Sequence, residues 1–207
     1  LVEAAYHDVT LGVARARAAC QDADEIREIE TLFIEQIKRA KSFIYAENQY
    51  FASRKISEAI AKRMAEPSPP EITIVNPANA DGWLEQKAMD SARVQLLRSI
   101  GAHDPQDRFS IFIPYTAGGT PIYVHAKLTI IDDDIVRVGS ANMNNRSLGL
   151  DSECDVFIDA TLEGNATAKE QITALRLSLL AEHCGVSVED MASRLEKHGS
   201  MRAAIES

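Results

Sequence analysis

Residues 123–147 read YVHAKLTIIDDDIVRVGSANMNNRS. His125 and Lys127 stand one residue apart in an apolar run that alternates as a β-strand does. On such a strand Ile122, Val124, Ala126, Leu128 and Ile130 share an apolar face, and Tyr123, His125, Lys127 and Thr129 share the other. An imidazole and an ammonium are therefore aimed to the same side. Imidazole can attack phosphorus or hand a proton to a departing alkoxide. An ammonium beside it neutralises charge growing on the non-bridging oxygens of a phosphoryl group. The three aspartates at 132–134 read as a hairpin turn. The following IVRVGS returns as the next strand and brings Ser140 and Asn142 toward His125 as neutral donors to the same oxygens. Such a set fits phosphate and needs neither metal nor cofactor.

Each piece alone has a plainer reading. A His-x-Lys pair on a strand is usually a solvated face, and Gly-Ser-x-Asn is a common loop. Glu153 reads equally as a carboxylate that orients a histidine or as a charge at a strand edge. Glu47, Asn48 and Gln49 follow a buried strand, where ligand sites gather in α/β folds, or form only a polar turn. Gly118 and Gly119 mark a mobile loop or simply turn geometry. Trp83 reads as packing at a helix start or as a substrate or membrane edge.

These residues need a frame. DEIREIETLFIEQIKRAK places Ile26, Ile29, Phe33, Ile37 and Ala40 on one helical stripe, acids early and bases late. SFIYA is a short buried strand closed by ENQYF. SRKISEAIAKRMAE is a second helix, stopped by PSPP. EITIVNP is a strand, GWLEQKAMDSARVQLLRSI a third helix, and RFSIFIP and CDVFIDA further strands. EGNATAKEQITALRLSLLAEHCG is a long helix ending at Gly185, and SVEDMASRLEKHG a short one that Ser187 can cap. SMRAAIES carries no clear pattern. Strands alternating with helices, then running in succession, predict an α/β fold: a mixed β-sheet with helices on both faces. The expected organisation is an N-terminal extended arm or linker over 1–22, the α/β domain over 23–185 and a C-terminal helical extension over 186–207.

The net charge of −9 argues against nucleic acid as a partner, since phosphate backbones favour a basic footprint. Cys20, Cys154 and Cys184 are few, widely spaced and without CxxC, so a reducing compartment is the simpler expectation, with no zinc site. No run reaches the length of a membrane span. The expected location is cytoplasmic, peripheral at a membrane at most.

HAKLTIIDDDIVRVGSAN is His-x-Lys, four residues, Asp, six residues, Gly-Ser-x-Asn. It resembles the HKD motif of the phospholipase D superfamily at every position: His125, Lys127, Asp132, Gly139, Ser140 and Asn142. IYAENQYF resembles the segment that opens the second catalytic half of phospholipases D. NNRSLGLDSECDV resembles the continuation after the motif, with Glu153 matching its acidic residue. ADGWLEQKAMD and AGGTPIYVHAK look like the bacterial transphosphatidylase branch. The resemblance implies hydrolysis or alcohol exchange of phospholipid headgroups through a phosphohistidine. It implies that Asp132 supports its own motif and that Glu153 orients a histidine. Glu47, Asn48, Gln49 and Gly139 are expected to line the substrate.

Members of that superfamily build one active site from two such motifs. Of five histidines here, only His125 lies in His-x-Lys. The resemblance thus implies the C-terminal half of a site, with His125 as general acid. The missing N-terminal half would come from the same parent chain. Two alternatives stay open: a one-motif phosphodiesterase or nuclease completed by a homodimer, and a domain that only binds phosphorylated ligands. The expected partners are a phospholipid substrate, the missing half or a second copy, and a membrane surface.

Overall fold

The computed structural model describes residues 4–78 and 93–207. In chain order the strands are β1 (Leu11–Arg17), β2 (Ile26–Arg27), β3 (Phe43–Asn48), β4 (Phe51–Ala52), β5 (Glu71–Val75), β6 (Phe109–Phe112), β7 (Lys127–Ile131), β8 (Ile135–Gly139), β9 (Met143–Asn144) and β10 (Glu153–Asp159). The helices are α1 (Glu28–Arg39), α2 (Arg54–Met64), α3 (described over 93–101), α4 (Asn145–Gly149), α5 (Ala168–Cys184), α6 (Val188–His198) and α7 (Met201–Glu206).

Among the described residues, eight strands form one mixed sheet in the order β2-β1-β10-β8-β7-β3-β5-β6. β3, β5 and β6 run parallel, and the β7–β8 hairpin joins β3 antiparallel. β5 is buried at all five positions, as a parallel strand covered on both faces must be. One core layer packs Ile29, Phe33 and Ile37 of α1 and Ile56, Ile60 and Met64 of α2 on Ile44, Ala46, Ile72, Ile74 and Ile131. The other packs Ile172 and Leu180 of α5, Met191 of α6 and Met201 of α7 on Tyr45, Val75, Ile130 and Val136. The sheet is thus covered on both faces, the α/β architecture expected from the sequence.

Local chemistry sets the element ends. α1 opens on Glu28 and Glu30 and closes on Lys38 and Arg39, matching its dipole. Ser53 caps α2 and Ser187 caps α6, each hydroxyl accepting a backbone N–H of the first turn. α5 ends at Gly185, whose φ of 65° closes the helix left-handed. The 132–134 turn puts Asp132 and Asp133 both at φ 55°, the backbone of a tight hairpin.

Three expectations are corrected. Residues 11–17, read as part of an arm, are β1, a strand of the main sheet paired with β10 from Leu11↔Ile158 to Ala16↔Glu153. The first helix starts only at Glu28, because Ile26 and Arg27 pair with β1. The last residues, without a clear pattern in the sequence, form α7 of the helical extension. Glu71 at the head of β5 accepts from Ser200 Oγ and from the N–H groups of Met201 and Arg202, which starts α7 and seats Met201 and Ala204 in the core. The strand carrying the motif begins at Lys127, not Pro121, because its neighbour β3 ends at Asn48, the partner of Lys127. The first part of the expected third helix, and Trp83 with it, lies outside the described residues.

Candidate active site

β7 and β3 pair through Asn48↔Lys127 and Ala46↔Thr129, so these side chains share one face, that of α1 and α2. At the head of β7, Lys127 Nζ donates to Gln49 Oε1 at 3.1 Å and to the His125 carbonyl at 2.8 Å. Gln49 donates in turn to the Tyr123 hydroxyl at 2.6 Å. The Tyr123 ring stacks on His125 with centroids 6.3 Å apart. His125 itself is exposed and lies just outside the ladder, free to meet a ligand. Burial lowers the Lys127 pKa below the usual lysine value, and Glu153 works against that shift. Part of the hydration of this ammonium is thus already stripped, and the two acceptors above are neutral oxygens.

β8 returns beside β7, with Leu128↔Val138 in register, so Gly139 and Ser140 arrive at the same end of the sheet as Lys127. The Ser140 hydroxyl donates to Glu153 Oε2 and accepts from Cys154 N at 3.1 Å. Expected as a donor to phosphate, this hydroxyl instead holds the carboxylate. Asn142 Oδ1 is buried and accepts no hydrogen bond among the described residues. Asn48 is 1% exposed; its Oδ1 accepts from Met143 N at 3.0 Å and Tyr50 N at 3.2 Å, and its carbonyl accepts from the Asn76 amide. Asn48, expected to line the substrate, therefore fixes the Gly-Ser-x-Asn loop against β3.

Two expected site residues fall elsewhere. Glu47 follows the alternation of β3 onto the opposite face, where it is buried and accepts from the Tyr45 hydroxyl at 2.7 Å. It also lies 3.1 Å from His183 Nε2 on α5. Asp132 sits at the far end of β7 from His125. Its carboxylate accepts from the N–H groups of Lys41, Ser42 and Phe43 at 2.7, 2.8 and 2.8 Å, pinning the loop from α1 to β3. This is support of the fold, by three charge-assisted bonds.

A buried pair behind the loop escaped the sequence reading. Arg137 is fully enclosed, its guanidinium carbon 3.2 Å from the Phe33 ring centroid, its Nη2 donating to Thr129 Oγ1 at 2.8 Å. Asp155 Oδ2 lies 3.7 Å from Arg137 Nη1, and Asp155 Oδ1 accepts from Ala141 N at 3.1 Å. Burial pushes the Arg137 pKa down to about 10 and raises that of Asp155. The pair anchors the turn that carries Ser140 and Asn142. Its one sequence signal was Glu153, Asp155 and Asp159 falling on one face of a strand. Among the described residues no cluster of three His, Cys, Asp or Glu side chains is placed to hold a metal ion, and no helix is long and apolar enough to cross a membrane.

Residues 33–175, which include every residue expected in the site, match the family model described as "Cardiolipin synthase, PLD-like domain". The chain is 28% identical to phospholipase D alpha 2 of Oryza sativa subsp. japonica and 27% identical to phospholipase D alpha 1 of Arabidopsis thaliana. Each alignment covers 77% of this chain and 28% of the relative, so the chain spans little more than a quarter of those proteins. Among solved structures it resembles the phospholipase D family member Nuc from Salmonella typhimurium, with TM-score 0.55 and 16% identity over 81% of this chain and 91% of that one. NucT from Helicobacter pylori gives TM-score 0.51 and 19% identity over 79% and 94%. Phosphatidylserine synthase from Haemophilus influenzae Rd KW20 gives 0.59 and 13% over 84% and 38%. At these identities the structural likeness shows the fold.

Proposed function

The chain belongs to the phospholipase D-like family, and from that premise we propose that it forms one wall of a phosphodiester-cleaving site that acts on phospholipid headgroups. The observation that supports this most is the gathering of His125, Lys127, Asn142 and the Ser140–Glu153 pair at one end of the β7–β8 hairpin. Lys127 binds a non-bridging phosphate oxygen, which replaces the hydration its burial has removed. A second histidine, from a segment outside this chain or from a second copy, attacks phosphorus and forms the N–P bond. The P–O bond to the headgroup breaks, and the His125 imidazolium gives its proton to the leaving alkoxide. His125 then takes a proton from water or an alcohol as that oxygen attacks phosphorus and frees the nucleophilic histidine. Glu153, held by Ser140, steadies the charge and orientation of an imidazole.

The test is headgroup release from phosphatidylcholine by the longest natural chain that contains these residues, with and without His125→Ala. Release that falls by about a thousandfold or more supports the reading; release unchanged by the substitution refutes it. A second reading rests on the fold match, which spans 91% of Nuc and 94% of NucT. In that form a second copy of this chain supplies the other histidine. Activity that rises with the square of protein concentration, together with a dimer in sedimentation, would select that form.

A further inference from the structure

The segment that leads into His125 has a composition unlike the rest of the chain. From Phe109 to Val124 no residue carries a charge, whereas 26% of the whole chain does. The structure folds much of this run into a projecting hairpin. Tyr115 and Pro121 face each other, Ile122 N donates to the Pro114 carbonyl at 2.9 Å, and Thr116 N donates to the Thr120 carbonyl at 2.8 Å. Gly119, at φ 78°, turns the tip, and its N–H donates to the Thr116 carbonyl at 2.9 Å. These bonds pair the two arms with each other, which lowers the cost of seating them at an interface. Outward from it stand Ile113, Tyr115 and Ile122, exposed by 37, 53 and 37%.

We propose that this hairpin is a lipid-docking element that seats the chain on a surface of zwitterionic phospholipid, with Ile113, Tyr115 and Ile122 entering the interface. The proposal rests on the phospholipid reading of the site and names the surface from which the substrate is drawn. Charge selects the occupant. The hairpin offers no lysine or arginine to an anionic headgroup, and a net charge of −9 repels an anionic surface. What it presents is aliphatic surface with a tyrosine, whose apolar ring and polar hydroxyl suit the headgroup boundary. The base of the hairpin is also tied to the site: Gln49 holds the Tyr123 hydroxyl and Lys127 at once. Docking the tip therefore brings His125 to the depth of the headgroups.

The test is co-sedimentation of the full chain with vesicles of phosphatidylcholine, or of phosphatidylglycerol, at low salt. Ile113→Asp/Ile122→Asp and Tyr115→Ser serve as variants, with thermal melts by circular dichroism to verify folding. The wild-type chain should bind phosphatidylcholine vesicles. The double variant should bind them about tenfold more weakly at an unchanged melting temperature. If the double variant fails to fold, the milder Tyr115→Ser decides. Failure of the wild type to bind, tighter binding to phosphatidylglycerol, or equal binding by folded variants would overturn the proposal. So would variants that only split a dimer in sedimentation velocity, since the hairpin would then be a contact between copies. Hydrolysis of dihexanoylphosphatidylcholine below its micelle concentration, by the longest natural chain that contains these residues, separates this from the proposed function. The docking variants should keep that activity in it, whereas its absence in that wild-type protein would count against the catalytic reading and leave the vesicle result standing.

Discussion

Gly139 and Asp155 face each other across the β8–β10 ladder with no room between them for a side chain. A Cβ on residue 139 would lie 1.9 Å from Asp155 Oδ1 and 2.5 Å from the Asp155 Cα. The glycine of Gly-Ser-x-Asn is thus required by the carboxylate that holds Ala141 N and faces Arg137. Gly139→Ala must either part the strands or push the carboxylate off both partners. The expected cost is about 1–3 kcal/mol in urea unfolding, as for other overpacked sites, with activity lost because Ser140 is the next residue. An unfolding midpoint equal to the wild type would show that the ladder absorbs the Cβ.

Asp132 serves stability from the end of β7 away from His125. Asp132→Ala removes the charged acceptor of three backbone N–H groups. The loss should be on the order of 3 kcal/mol, and smaller for Asp132→Asn, which keeps one acceptor oxygen. The surviving folded protein should retain the wild-type KM and pH profile. A changed pH profile at unchanged stability would contradict this assignment.

His183 makes the attachment of α5 depend on pH. Its hydrogen bond to Glu47 raises its pKa above the ordinary 6.5, against the opposing effect of burial. The folded state therefore keeps the proton to higher pH than the unfolded chain does. The resulting stabilisation is complete below about 6.5 and is lost as pH rises through the folded-state value. The gap in urea midpoint between the wild type and His183→Gln should accordingly be wider at pH 6 than at pH 8.5. Equal gaps at both would remove the linkage.

What was legible in the sequence was local. The β7–turn–β8 hairpin could be read because apolar alternation and aspartates that tolerate positive φ both act within a few residues. α2 and α6 carry their own serine caps and α5 closes on Gly185, so these ends are legible, whereas α5 starts at Ala168, after the expected Glu163. Most of the differences come from partners distant in the chain. α7 is started by Glu71, far back in the chain, so SMRAAIES alone shows no helix signal beyond Ser200. Glu47 looked like part of a polar site because ENQ ends a strand, but the pleat turns Glu47 to α5 and leaves Asn48 and Gln49 on the side of Lys127. The Arg137–Asp155 pair joins two strands, and its one linear trace, the shared face of Glu153, Asp155 and Asp159, does not point to Arg137. In the site, the residue types are visible in the sequence, whereas the Ser140 hydroxyl held to Glu153 and the Asn48 clamp on Met143 arise only when the strands pair.

The pairing of β1 with β10 also sets an order of events. Leu11 must find Ile158, and Ala16 must find Glu153, from nearly opposite ends of the sheet-forming sequence. Closing so long a loop costs entropy before any contact repays it, which makes this ladder a late step in folding. Until β10 has been made, β1 has β2 on one edge and α1 on its face, but no strand on its other edge. Through that interval an unpaired strand edge invites other chains, and Arg15 and Arg17 put positive charge along it. In the finished protein Arg15 is held by Glu28 and Arg17 by the Asp24 carbonyl; before that, like charges on two such edges disfavour their pairing.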